Sequence, residues 1–447
     1  MPVADQRAHA ALPPGPQLPR ALQTAIWMRR AQGLLAWSRR RYGDTFTLRI
    51  AHEGTWVVTC NLEAVKSVFT GDPRILHAGE GNSVLLPVLG PNSVLLLDEE
   101  EHMRQRKLLL PPFHGARMKR YEALMQEIAA AEIERWRPGE VRQLRPRMQA
   151  LTLEVILRAV FGVAEGQRLE ELRRALRRLV AYATNPRAGI MLAVVGPARG
   201  ERIRGFRERL RTVDELLFAE IAERRALAEI AEREDIMSLL LQARDEDGAP
   251  MSDKEVRDEL LTLLLAGHET TANALAWAVE RLARHPDATA RLQEEVDAGE
   301  SAYLQAVVQE ILRLRPVISV VARRLKAPFR IGAWELPAGV GIVPSIYLMH
   351  RRADIYPEPE RFRPERFLEQ PPGTYTWIPF GGGVRRCLGA AFAQFEMEVV
   401  LRELIARRSL APARAQSERV LRRAFTETPS RDAEVLIGSA ERMRVAR

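Results

Sequence analysis

Single-residue alternation of apolar and polar side chains is confined to short runs of this chain. Thr45-Phe46-Thr47-Leu48-Arg49-Ile50 and Thr55-Trp56-Val57-Val58-Thr59 carry it, and a period of two puts every second side chain on one face of a strand. A helical stretch is expected before them, from Leu22 to Arg40. Asp72 to Leu97 reads as loop, punctuated by Gly79, Gly81, Pro87, Gly90 and Pro91. From about Glu100 to Leu314 the pattern is overwhelmingly helical. Its breaks fall at Arg137-Pro138-Gly139, Asn185-Pro186, Val195-Gly196-Pro197 and Asp247-Gly248-Ala249-Pro250. After Pro316 come short strands and turns, including Phe329-Arg330-Ile331-Gly332 and Gly341-Ile342-Val343. A Pro-rich stretch from Tyr356 to Pro372, a glycine loop and a last long helix from about Leu388 to Arg407 complete the pattern.

One helix start is sharp. Ser252-Asp253-Lys254-Glu255 has the form of a capping box, with serine at the N-cap and glutamate three residues on. The helix it opens should run to about His285, where Pro286 ends the pattern. It is apolar through its middle and should cross the interior. The pattern predicts a mainly α protein with small β-sheets. Residues 1–20 form a Pro-rich, loosely held segment, and residues 21–447 form a single domain.

Composition narrows the class. Of 447 residues, 46% are hydrophobic and 28% charged, enough to bury a large core without covalent staples. The only cysteines are Cys60 and Cys387, which excludes a disulfide framework and points to a reducing, cytoplasmic setting. Two thiols also cannot hold a conventional iron–sulfur cluster. The formal net charge of +9 raises the question of nucleic acid. The arginines, however, stand among glutamates, as in Glu170-Glu171-Leu172-Arg173-Arg174, and that favours solvated helix faces. The richest apolar run, Leu260 to Ala266, falls short of the roughly 20 residues that a membrane span needs.

The strongest chemical signal is Phe380-Gly381-Gly382-Gly383-Val384-Arg385-Arg386-Cys387-Leu388-Gly389. A cysteine before a helix, beside arginines, sits where a thiolate is favoured. Glycines let backbone amides approach its sulfur. A lone cysteine is more often an inert core residue; the glycines, arginines and following helix reverse that preference. The run resembles the haem-binding signature of cytochromes P450, with Phe380, Gly383, Arg385, Cys387 and Gly389 at the family's positions. The resemblance implies the P450 fold, a triangular helical domain with a long central distal helix. It also implies heme b (iron protoporphyrin IX) bound through Cys387, Phe380 beside it and Arg385 on a propionate. A thiolate ligand favours O–O cleavage.

Three further motifs follow the family's order over about residues 10 to 430. Glu310-Ile311-Leu312-Arg313 alone would be a helix-surface pair. With Pro364-Glu365-Arg366-Phe367 it resembles the Glu–Arg–Arg triad, which implies a buried network of Glu310, Arg313 and Arg366. Ala266-Gly267-His268-Glu269-Thr270-Thr271 lacks the second histidine of a zinc protease, because Ala272 stands there. It resembles the oxygen-binding groove, which implies Gly267 making room beside the iron and Glu269 with Thr270 as an acid–alcohol pair for proton delivery. His102 and Arg106, at i and i+4, would pass for an ordinary basic face. The resemblance makes them propionate partners together with Arg323, although Arg324 beside it leaves the choice open. The histidine at 102, where tryptophan also occurs in the family, is the one visible departure.

By the same resemblance, substrate contacts come from about His77 to Leu97, Tyr182 to Val195, the distal helix and Val317 to Val321. Their apolar character suits a fatty acid, terpenoid or steroid, with Arg187 or His77 available to anchor a carboxylate. Electrons then reach a monomeric enzyme from a separate ferredoxin or flavodoxin-type partner on the proximal face near Cys387, and NAD(P)H acts only indirectly through such partners. The alternatives are a peroxygenase of the same fold, a non-catalytic haem-binding sensor and a nucleic-acid binder.

Overall fold

The computed structural model describes residues 12–113, 117–162, 167–183 and 204–439. Its organising element is the helix Asp253–Arg284, 32 residues long, about 48 Å at 1.5 Å per residue. The Ser252 hydroxyl accepts from the Glu255 N–H, and the Glu255 carboxylate accepts from the Ser252 N–H at 2.7 Å. Pro286 opens the next helix, Pro286–Asp297, where its missing N–H is harmless. The central helix lies most extensively against a supporting helix, Arg145–Phe161. Leu151, Val155 and Ile156 of the supporting helix share one hydrophobic core with Leu264, Ala272 and Leu275 of the central one. Ala302–Leu314 and the closing helix Ala390–Arg407 pack on the same core.

Beside the helices stands a five-stranded sheet in the order Thr45–Ile50, Gly54–Thr59, Gly341–Pro344, Arg323–Leu325, Leu76–His77. Its first two strands are an antiparallel pair, with Thr45 opposite Thr59 and Ile50 opposite Gly54. The parallel pairing of Trp56 with Gly341 joins distant parts of the chain. A side chain at 341 would begin 2.8 Å from the Trp56 ring, so glycine is required there. A two-stranded hairpin, Val420–Arg423 with Thr426–Pro429, runs beside the central helix.

Two expectations need correction. The Pro-rich segment is not loosely held from residue 12 onward. The Thr47 N–H donates to Pro14 at 3.0 Å and the Thr47 hydroxyl to Pro13 at 2.6 Å, and a Cβ on Gly15 would lie 2.0 Å from the Thr47 carbonyl. Residues 72–97 are not plain loop either. They contain the strand Leu76–His77 and the helical turns Ala78–Gly81, Ser83–Leu85 and Leu86–Leu89. They are also fastened to the central helix. Asn92 donates to Asp258 from its backbone and its amide (3.0 and 2.8 Å), and the Val94 N–H donates to Glu259 at 2.8 Å.

Candidate active site

The cysteine loop is closed by its own backbone, with the Cys387 N–H donating to the Phe380 carbonyl at 3.0 Å. Gly383 has φ +65°, and a Cβ there would lie 1.9 Å from the Phe69 carbonyl. On Gly382 a Cβ would lie 2.3 Å from the Phe69 ring. These glycines dock the loop on the end of the helix Leu62–Thr70. The amide that reaches the Cys387 sulfur is that of Gly389.

Cys387 is exposed, yet its surroundings desolvate the thiol as an interior position would. Burial pushes this thiol up from its ordinary range, against the Gly389 amide, Arg106 and Arg386. The expected help from the helix is weak because the closing helix begins only at Ala390 and its dipole acts within the first turn. A stable thiolate here needs a cation on the sulfur. Cys60 is different in kind. It is fully buried, with its thiol pushed up to about 12, first by burial.

The central helix is open midway along an otherwise buried length: Ala266 is exposed and Gly267 and Thr270 are half-buried. The Thr270 hydroxyl donates to the Ala266 carbonyl at 2.6 Å, and the Thr152 hydroxyl of the supporting helix donates to the His268 carbonyl at 2.9 Å. A Cβ on Gly267 would meet Ile156 at 3.3 Å. The glycine therefore eases the approach of the supporting helix. The structure does not join Glu269 to Thr270. The Glu269 carboxylate accepts from Gln149 at 2.5 Å and from Asn273 at 3.3 Å, with Arg145 at 3.6 Å.

A group of cations surrounds the cysteine loop. Arg385 donates to Asp98 at 2.5 Å and to the carbonyls of Val94 and Leu97. His102 is buried and pushed down to about 3, first by burial and then by the charges of Arg385, Arg106 and Arg323. Burial and Arg385 bring buried Arg323 down to about 10. Arg385 also falls to about 10, mainly by burial, with Asp98 opposing and Arg106 adding to the fall. Arg323 and Arg385 thus share one carboxylate, Asp98, while desolvated Arg106 feels Cys387 and Arg386, and this surplus of cations fits two propionates. Strand alternation turns Arg324 away, to the carbonyls of Gly339 and Glu53 at 2.8 Å each, so Arg323 is the one in the cluster. Among the described residues no three His, Cys, Asp or Glu side chains gather as a metal site. A single thiol suits an iron whose other ligands come from a porphyrin.

Glu310 and Arg313 are fully buried and bidentate, at 2.6 and 2.9 Å, and Arg366 lies 3.2 Å from Glu310. Arg313 also donates to the carbonyls of His350, Pro359 and Arg361, and Arg366 to that of Pro357. The network therefore fixes the path of residues 350–366. An aromatic ladder continues from it: His350, Tyr356, Phe367, Trp377 and Phe380, with successive ring centroids 6.0–6.5 Å apart. The ladder ends in the cysteine loop.

His77 does not suit a carboxylate anchor. Its ring nitrogens face Glu99 at 2.8 Å, Glu80 at 3.2 Å and Asp98 at 3.5 Å, and these would repel a further acid. Arg187, and with it residues 184–203, lies outside the described residues. Val317 and Ser319 are buried, and Ile318, Val320 and Val321 are partly open.

A cytochrome P450 family model matches residues 13–431. The chain belongs to the cytochrome P450 family. It is 43% identical over 432 residues to a Mycobacterium tuberculosis protein named cytochrome P450 135B1, with 95% of this chain and 91% of that protein covered. With cytochrome P450 135A1 of the same organism the identity is 41% over 426 residues, 94% of each. Among solved structures, the retinoic acid-bound cyanobacterial CYP120A1 matches with a TM-score of 0.84 at 25% identity, over 96% of this chain and all of that one. CYP102L1, at a TM-score of 0.81 and 24% identity over the same shares, supports the fold. This P450 is accordingly a haem-thiolate monooxygenase. Sequence reading missed Arg145, Gln149, Thr152 and Asp98, which hold the site from behind and have no motif of their own.

Proposed function

We propose that this P450 inserts one oxygen atom of O2 into an apolar substrate, with electrons delivered by a ferredoxin or flavodoxin-type protein docking near Cys387. The observation that carries the reading is the accessible Cys387 thiol, with the charges of Arg106 and Arg386 acting on it and the desolvated pair Arg323 and Arg385 sharing one acid, Asp98. When bound, haem supplies the oxygen activation. Cys387 would hold it through its sulfur, and His102, Arg106, Arg323 and Arg385 would hold its propionates. Thr270 stands on the open stretch of the central helix, where its hydroxyl could hold and pass a proton beside the haem site; this supports O2 use over a peroxygenase.

The substrate class is argued from the walls. Leu86, Val88, Ile318, Val320 and Val321 are apolar and at least partly open. The CYP120A1 structure holds retinoic acid, an apolar isoprenoid acid, which supports the terpenoid part of the proposed range. Among the described residues no helix is long and apolar enough to cross a membrane; a cytoplasmic monomer is the proposed form. The direct test is the absorbance spectrum of the reduced, carbon-monoxide-bound protein, followed by spectral titration with fatty acids, terpenoids and steroids. A thiolate-type spectrum with shifts only from small hydrophilic compounds would overturn the substrate class alone. A spectrum lacking the thiolate signature would overturn the site.

A further inference from the structure

We propose that the outer face of the N-terminal helix, with the hairpin tip beside it, docks on an anionic lipid bilayer surface. The helix Arg20–Tyr42 contains Arg20, Arg29, Arg30, Arg39, Arg40 and Arg41 and no acidic residue. Two of these are engaged, Arg20 by the Ile50 carbonyl and Arg39 by Asp44. Arg41 lies over its neighbour Tyr42. Arg29, Arg30 and Arg40 are exposed, and among the described residues none of them has an ion pair.

Large apolar side chains are interleaved with these cations. Leu18, Leu22, Met28 and Trp37 are exposed by 36, 46, 37 and 42%, while Trp27, Ala31, Leu34 and Leu35 fill the core side of the same helix. The hairpin Val420–Pro429 is bound to this helix by Arg422, which stacks on Trp27 at 4.5 Å. It adds Leu421 and Phe425, each 41% exposed.

Cations alternating with bulky apolar groups along a helical element kinked at Arg30 match a headgroup interface. There the guanidinium groups meet lipid phosphates, the apolar groups sink below them, and tryptophan favours the boundary. A nucleic-acid groove has no use for exposed Leu22 and Met28. A protein partner would gather the apolar groups into a central patch with a polar rim, whereas here they are strung along the element. This docking does not depend on the catalytic reading.

Sedimentation of the full-length, haem-loaded protein with vesicles tests the proposal. Phosphatidylglycerol-rich vesicles are compared with phosphatidylcholine vesicles at low and high salt. The triple variant R29Q/R30Q/R40Q is set against a control of equal charge, K66Q/K119Q/K254Q, whose three exposed lysines lie off this face. Parent and control should bind the anionic vesicles and release them at high salt, and the arginine variant should bind on the order of tenfold more weakly. L22Q/F425Q should weaken binding while leaving the carbon monoxide spectrum unchanged. Equal loss in variant and control, equal binding to neutral vesicles, or no binding at all would overturn the proposal. Retention on polyglutamate but not on vesicles would overturn it in favour of an acidic protein partner.

Discussion

Gln149 donates a 2.5 Å hydrogen bond to Glu269, so the supporting helix holds the one acidic side chain of the oxygen-groove motif. The Thr270 hydroxyl is engaged with the Ala266 carbonyl, and no hydrogen bond joins it to Glu269. The two residues should therefore separate under mutation. Thr270→Ala should divert much of the electron supply from product to reduced oxygen, and Thr270→Ser should restore coupling. Glu269→Leu strands Gln149 and should cost about 1–3 kcal/mol of stability, read as a lowered unfolding temperature. Product formed per NAD(P)H consumed checks both. Equal uncoupling in Thr270→Ala and Glu269→Gln would place the carboxylate in the proton path after all.

Arg313→Met should be far more damaging than loss of any surface pair. It leaves Glu310 charged in a fully buried site and frees the carbonyls of His350, Pro359 and Arg361. About 3–5 kcal/mol of stability should go, and haem content with it. Arg361→Gln, at the exposed Glu358 pair, should change stability by less than about 1 kcal/mol.

His350 sets a pH dependence. Its Nδ1 donates to the Arg313 carbonyl while its Nε2 accepts from the Ile378 N–H, which only a neutral imidazole can do. Burial, then Arg313 and Arg351, hold it well below its ordinary range, and His102 and His285 are lowered as well, first by burial. The unfolded chain takes up protons below about pH 6.5 where the native state does not. Stability is thus fully present above that pH and falls as the solution is acidified, by up to about 1.4 kcal/mol per pH unit for each such histidine. Denaturant unfolding from pH 7 to 5 should be shallower by that amount in His350→Gln. A slope matching the parent would show that His350 does not remain neutral.

Two glycines of the cysteine loop should respond in opposite ways. Gly383→Ala puts a Cβ into the Phe69 carbonyl at positive φ and should disrupt the loop even without haem. A Cβ on Gly389 meets no protein atom within 4 Å, so Gly389→Ala should unfold at the parental temperature. Its methyl should still alter the absorbance of the haem-loaded protein, because the Gly389 amide adjoins the sulfur. Circular dichroism and absorbance separate the two effects.

Arg323→Gln should release haem on the order of tenfold faster, since Arg323 is buried in the cationic cluster. Arg324→Gln should leave release unchanged. Transfer of haem to apomyoglobin measures both, and faster release from the Arg324 variant alone would reverse the assignment.

Local signals were readable where the chemistry is local. The capping box at Ser252 and Glu255 needs four residues, and the strands Thr45–Ile50 and Gly54–Thr59 need only alternation and a tight turn. The cysteine loop likewise carries its glycines with it. What escaped was partnership across the chain. The three acids around His77 include Asp98 and Glu99, whose nearness follows from the path of residues 78–98. Glu269 is gripped by residues 120 and 124 positions earlier, a contact made only by helix packing. Neither Gln149 nor Arg145 belongs to a pattern that would mark it. The Pro-rich start misled because composition suggests a free tail, while Gly15 fits against Thr47 only through backbone shape.

That fit has a cost if it is lost. Thr45–Ile50 is the outermost strand of its sheet, and the prolines at 13 and 14 cover its free margin with carbonyls while offering no N–H of their own. A chain shortened past Gly15 would present a bare row of backbone donors and acceptors. Such molecules would be drawn to add strand to strand, and solubility would fall with concentration.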